Sequence, residues 1–315
     1  MRYVLRRLSA TLLVVLGASV LIFLLVRLLP GDIATVLAGS ESTLSPAQRE
    51  ALLRGFGLDR PLPVQYGLWI WAMLHGDFGT SFRTSQPVAT VLFQRLPLSV
   101  ELAVLAALLS AAIGIPLGVF VSVSRSAGVR LLAQVVGLLG LSVPNFWLAV
   151  VLILVASYAF GWLPPLMFVT PWEDPMTNLQ QMLLPVLSLA AGLGAVVLRM
   201  TRSSMLEVLG EEYVKVARAK GLGERAVVLR HTLRNALIPV VTVLGLQLGT
   251  LLGGVVITEQ VFGLPGLGWT LVNGVNQRDY PVVQGAVMLF AVTFAVINLV
   301  VDLTYSYLDP RIRYG

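Results

Sequence analysis

Six stretches of this chain are too long, too apolar and too poor in charge to sit anywhere but across a membrane. They cover residues 8–29, 97–122, 131–160, 183–200, 237–261 and 282–301. About 20 apolar residues suffice for a helix to cross a hydrocarbon core of about 30 Å. Each stretch therefore predicts one helical span, and six spans place both termini on one side. The basic residues decide which side. Arg2, Arg6 and Arg7 precede the first span, Arg125 and Arg130 lie between the second and third, and Arg199 and Arg202 close the fourth. Lysine and arginine stay in the cytoplasm, so both termini are expected there. The loop over 161–181 has acids and no bases, as an outer loop should. Arg27, near the outer end of the first span, can snorkel to the headgroups.

Composition narrows the function classes. Only 12% of residues are charged and mean hydropathy is +0.84, against about a quarter charged in a soluble domain. The net charge of +6 is spread over loops and reads as membrane topology, not as a nucleic-acid footprint. The chain has no cysteine, and its two histidines, His75 and His231, are far apart. Disulfides and Cys- or His-rich metal sites are therefore not expected. The first span lacks a small-residue cleavage pattern and reads as a retained anchor.

The loops carry further signals. Ser45, Pro46, Ala47 and Gln48 form a capping box that starts a helix running to about Arg54. Residues 66–74, with Trp69 and Trp71, are too short to span and should lie on the outer surface. Pro97 is expected to open the second span, which puts Glu101 in its first turn. An acid there either complements the helix dipole or serves the transport pathway. Pro144 interrupts the third span and predicts a kink, with Asn145 beside it. Gly245, Gly249, Gly253 and Gly254 give the fifth span a stripe of small residues for close helix packing, within this chain or against another. Residues 259–268, EQVFGLPGLG, are too rich in Gly and Pro for a regular helix and predict an outer turn that starts at Glu259. Asp302 is expected to pair with an inner-face arginine.

The longest polar interruption in the second half, residues 211–242, does not read as a slack loop. Glu211 and Glu212 stand where a helix begins, and Lys215, Arg218 and Lys220 toward its end, an order that complements the dipole. Glu211 and Lys215 form an i,i+4 acid-to-base pair. Gly221 sits where a left-handed cap is wanted, with Leu222 able to fold back on Val216 or Ala217. A second helical run, 224–235, leads back to the membrane. A short capped helix at the tip of a cytoplasmic loop is a shape another protein could grip.

These residues resemble a known pattern. Ala217, Gly221 and Leu233 match the E-A-A-x3-G-x9-I-x-L-P loop of permease subunits of ABC-type importers, while Lys215, Val216, His231 and Arg234 depart from it. The departures follow the dipeptide/oligopeptide/nickel branch, which YV-x-x-ARAKGL from Tyr213 to Leu222 and RH-x-LRNA-x-x-P-x-x-T from Arg230 to Thr242 resemble. LLPGD at 28–32, GLD-x-P at 57–61, QY at 65–66, GDFG-x-S at 76–81 and E-x-V-F-x-x-PGLG at 259–268 resemble the same branch.

The resemblance implies an all-α polytopic membrane protein with the type I ABC importer transmembrane fold and six transmembrane helices. Residues 1–94 would hold the first span and a long outer segment. Residues 95–306 would form the five-helix core with a coupling loop at 203–236, and 307–315 a cytoplasmic tail. The protein would lie in the inner or plasma membrane of a bacterium or archaeon. It would form half of a path for peptides or a related small solute. The implied partners are a second related permease subunit, two ATPase subunits and an extracytoplasmic binding protein. The implied ATPase-coupling residues are Glu212, Tyr213, Ala217, Arg218, Ala219, Lys220, Gly221, Leu222, Arg230, His231, Arg234 and Asn235. Glu101, Pro144, Asn145, Glu259 and Asp302 are candidates for the pathway or a gate. No GxxxxGK[ST] phosphate loop occurs, so ATP and Mg are expected on the partner subunits and no enzymatic activity or cofactor in this chain. A secondary transporter or channel is the alternative, but such proteins place ionisable residues near the midplane, where these spans have few. An intramembrane enzyme lacks an HExxH motif and any buried Ser/His or Asp/Asp set.

Overall fold

The computed structural model describes residues 2–28, 47, 50, 54, 59–165 and 167–308. All its regular elements are helices. The first, α1 (Arg2–Leu28), is followed by α2 (Leu62–Leu74), α3 (Val88–Val123), α4 (Ala127–Ser142), α5 (Asn145–Phe160) and α6 (Pro175–Leu209). Then come α7 (Glu212–Ala219), α8 (Glu224–Ala226), a π-helical stretch (Val227–Thr232), α9 (Leu233–Phe262), α10 (Leu267–Asn276) and α11 (Tyr280–Leu308). Five helices are long and apolar enough to cross a membrane, or six crossings if the bent pair α4–α5 counts as one. The chain is a multi-pass membrane protein.

The centre is α6, the most enclosed span. One core joins Leu98, Leu102 and Ala106 of α3 to Leu189, Leu193 and Val197 of α6 and Val240, Leu251 and Val255 of α9. Two glycines one turn apart let α3 and α6 touch along their backbones. A methyl at Gly114 would lie 2.8 Å from the Val197 side chain, and one at Gly118 2.6 Å from that of Thr201. This is the G-x-x-x-G logic of membrane helix pairs. The Ser110 hydroxyl adds a bond to the Ala190 carbonyl at 3.1 Å. On α9, methyls at Gly245 and Gly249 would run into Val301 and Phe294 of α11, and Gly254 packs on Leu189, so these members of the stripe serve packing within the chain. Gly253 has nothing within 4 Å.

Several expected boundaries move. The second span opens at Val88, not Pro97, so α3 is 36 residues long and Pro97 lies inside it. Glu101 is therefore more than three turns in, not in the first turn. The polar Gln94 and Arg95 belong to a helix that extends beyond the apolar layer. The third span is not a kinked rod. Pro144 bars the residue before it from helical angles, and Val143 is extended (φ −80°, ψ 121°). The helix ends at Ser142, Pro144 caps a new one, and the two meet at 105°. Each half has 16 residues, or about 24 Å at 1.5 Å per residue, too short to cross alone. The turn expected over 259–268 is confined to 263–266, because Glu259–Phe262 still belong to α9 and α10 starts at Leu267, before α11 begins.

α2 lies against α1, where the Tyr66 hydroxyl and Ser19 Oγ are 2.8 Å apart and Tyr66 meets Phe23 edge-on at 5.3 Å. Of the helix expected over 45–54, Ala47, Glu50 and Arg54 are described, all helical, with Glu50 and Arg54 paired at 2.5 Å. Its capping residues Ser45, Pro46 and Gln48 lie outside the described residues, as do the LLPGD residues 29–32, Gly57 and Leu58, and the tail from 309 on.

Candidate coupling loop and latch

The loop between α6 and α9 is built around two buried side chains. Val214 (0% exposed) and Ala217 (7%) on one face of α7 pack with Val227 of the π-helical stretch and with Val208 and Leu209 at the end of α6. The other face is open, with Tyr213 42%, Val216 50% and Leu222 41% exposed.

The end of α7 is a Schellman cap. The Leu222 amide donates to the Ala217 carbonyl at 3.4 Å and the Gly221 amide to the Arg218 carbonyl at 2.9 Å. Gly221 has φ +78°, the left-handed conformation its position predicts. The charges pair differently from expectation. Lys215 bonds Glu212 at 2.7 Å, one residue nearer than Glu211, which is the N-cap and leaves its carboxylate free of cap bonds. Arg218 reaches across the glycine turn to Glu224, at 2.7 and 3.2 Å, and this bond holds the guanidinium more firmly protonated. Asn235 donates to the Tyr213 hydroxyl at 2.7 Å and so ties the start of α9 to α7. The second helical run, expected as regular helix over 224–235, passes through a π-helical stretch at Val227–Thr232, in which the Thr232 hydroxyl bonds the Val227 carbonyl at 3.0 Å. Arg230 is exposed there, His231 half-buried, and Arg234 exposed in the first turn of α9. Ala219 and Lys220 are exposed at the cap.

The five pathway candidates are not brought together. Glu259 is fully buried in a latch. One carboxylate oxygen accepts from Ser99 of α3 at 2.5 Å and the other from the Trp269 amide at 2.9 Å. The Leu267 amide donates to the Ser99 hydroxyl at 2.8 Å. The acid thus binds the free N–H groups at the start of α10. A methyl at Gly266 would overlap that carboxylate, so glycine is required there. Glu101 faces Asn178, near the start of α6, whose amide donates to the Val169 carbonyl at 3.1 Å. Pro144 and Asn145 form the break between α4 and α5, and the Asn145 amide sits against Gly192 of α6 and Gly254 of α9. Asp302 pairs with Arg7 of α1 at 3.0 Å.

Three features have no expectation behind them. The Ser99 contribution to the latch joins residues 160 apart and has no local signal. The Gly114–Gly118 pair is visible as a motif. Just before α11, buried Asp279 accepts from the Ser81 hydroxyl at 2.5 Å and the Phe82 amide at 3.1 Å, while Arg83 donates twice to the Gln277 carbonyl. That clasp fixes the GDFG-x-S segment to the turn before α11.

Comparison with known proteins places this geometry. Residues 114–314 match the family described as binding-protein-dependent transport system inner membrane component, and residues 1–103 match the N-terminal model of the same membrane components. The dipeptide transport system permease protein DppB of Escherichia coli (strain K12) is 40% identical over 338 aligned residues, covering 100% of this chain and 99% of the relative. The glutathione transport system permease protein GsiC of Salmonella paratyphi A is 43% identical, with 100% and 99% covered. A Brucella abortus (strain 2308) protein named for a peptide transport system permease is 41% identical, with 99% and 98% covered.

Proposed function

Because this chain belongs to the binding-protein-dependent transport system inner membrane component family, we propose that it is one permease subunit of an ATP-driven peptide importer whose motor grips α7. A substrate-binding protein delivers cargo from outside, a second permease subunit completes the path, and two ATPase subunits supply the energy. Closure of the ATPases on ATP moves α7, and α7 moves the spans.

The observation that carries this reading is the mounting of α7. It is tied to the end of α6 through Val208 and Leu209, and to the start of α9 through the Tyr213–Asn235 bond. Those two spans form the centre of the core. A push on the exposed Tyr213, Val216 and Leu222 face reaches both together. α7 has 8 residues, and so short a helix is marginal by itself. Its order comes from these anchors, which suits a part that must transmit force.

Peptides are the cargo that the relatives' names support, dipeptides and the tripeptide glutathione among them. Ion coupling fits less well. Two of the acids singled out in the spans already have partners: Glu259 has Ser99 and Asp302 has Arg7. The test is uptake of labelled dipeptide into vesicles containing the assembled complex. Uptake should require ATP and the binding protein and survive a protonophore. Uptake that follows an imposed proton or sodium gradient without ATP would overturn the proposal.

A further inference from the structure

A second set of charged groups stands apart from α7 and the latch. Near the cytoplasmic end of α6, Arg199, Arg202 and Ser203 fall on one face at i, i+3 and i+4. They line a cavity of about 410 Å³ between α6 and α4, with Gln134 of α4 opposite. The rest of its wall is apolar. Among the described residues neither arginine has an ion pair or a hydrogen bond, and Arg202 Nε is buried with no partner at all. Arg199 is exposed and Arg202 half-buried with its Nε enclosed, so the cavity wall presents two guanidinium groups that an anion entering it can bind. Their fixed planar forks suit a carboxylate or phosphate, which each can hold through two parallel bonds.

Depth and surroundings indicate where the anion comes from. Arg199 lies 24 residues beyond Pro175, about 36 Å along the helix at 1.5 Å per residue, past a hydrocarbon core of about 30 Å. With α7 in the cytoplasm, as the proposed function requires, that is the level of the inner headgroups. The adjoining surface of α4 is open and greasy, with Leu131 63%, Leu132 65% and Leu138 65% exposed, as an acyl chain would need. Basic pockets between helices on this side of a membrane bind lipid headgroups.

We propose that Arg199 and Arg202, with Gln134 and Ser203 at the rim, bind one oxyanion at the inner membrane surface. The phosphodiester of an anionic phospholipid is the source that the position favours, and the carboxylate of the cargo is the other. The first source does not depend on the transport reaction, so it can fail while the importer reading stands.

The experiment purifies the assembled complex and measures retained phosphatidylglycerol by native mass spectrometry after graded delipidation. It compares wild type, R199Q/R202Q, the charge-keeping R199K/R202K, and R130Q as a control for general inner-surface charge. Retention in R199Q/R202Q should fall about fivefold per arginine removed, with partial rescue in R199K/R202K and little change in R130Q. A second arm uses zwitterionic nanodiscs and compares binding of a dipeptide with that of its C-terminal amide. If the arginines prefer the free carboxylate there and lipid retention is unaltered, the oxyanion is the cargo's. If R199Q/R202Q matches wild type in both arms, the proposal is wrong. If R199Q/R202Q does not assemble, R199K/R202K decides: it should assemble and retain lipid at a level between wild type and a complex with no site, and loss equal to that of a complex with no site would also sink the idea.

Discussion

Replacing Gly221 tests the coupling loop where its geometry is most specific. Gly221 has φ +78°, and a methyl added there would meet nothing within 4 Å. Any effect of a side chain must therefore come from the backbone angle, not from a clash. A residue with a Cβ in the left-handed region costs about 1–2 kcal/mol, which is a factor of about 5–30 in a local equilibrium. Asparagine tolerates that region best after glycine. The penalty falls on two bonds, Leu222 to Ala217 and Gly221 to Arg218, and on a helix of 8 residues that has little stability of its own. It should open the end of α7 without disturbing the spans. The order of coupling should be Gly, then Asn, then Ala, then Val. Membrane level of the subunit, co-purified ATPase and substrate-stimulated ATP hydrolysis are measured for all four. Insertion should be constant while ATPase attachment or coupling declines along the series, and amide exchange over 214–222 should rise in step. Wild-type coupling in Gly221→Val would refute the reasoning. So would an Asn variant as impaired as Val, since that ranks by size and not by backbone angle.

Other expectations concern the latch and the topology. Gly266→Ala should lower thermal stability of the purified complex more than Gly263→Ala, because only the former overlaps Glu259, although Gly263 has φ +64°. Equal losses would mean that the latch does not constrain position 266. Ser99→Ala and Glu259→Gln should be non-additive in a double-mutant cycle, with a coupling of about 1–3 kcal/mol since each change leaves buried partners unsatisfied; simple additivity would show two independent sites. Cysteines placed at Ser126 and Ser203 should resist an impermeant label applied outside cells and one at Thr84 should react, and the reverse pattern would invert the topology.

How much of this was readable before any coordinates varies by element. The spans were, because hydropathy over about 20 residues is a signal no other structure mimics. The Gly221 cap was, since an acid-to-base run ending in glycine has few other meanings. The start of α3 was not. Gln94 and Arg95 look like loop residues when the apolar layer is taken as the helix limit, and α3 continues past it. Pro144 announces an interruption but not its 105° angle, and nothing local shows that Asn145 would be seated between Gly192 and Gly254. The role of Glu259 depends on Ser99, 160 residues away, so nothing local separates a gate from a latch. The Gly114–Gly118 spacing is plain in the sequence, and its packing role becomes evident only against Val197 and Thr201.

The central claim is that the open face of α7 seats in an ATPase subunit, and crosslinking tests it most directly. A photoreactive residue is placed in the assembled complex at Val216, 50% exposed, at Ala217, 7% exposed, or at Arg130 in the neighbouring inner loop region. The account predicts an ATPase adduct from position 216, little from 217 where the side chain faces the Val214 and Val227 cluster, and little from 130. An ATPase adduct from position 130 with none from 216 would contradict it.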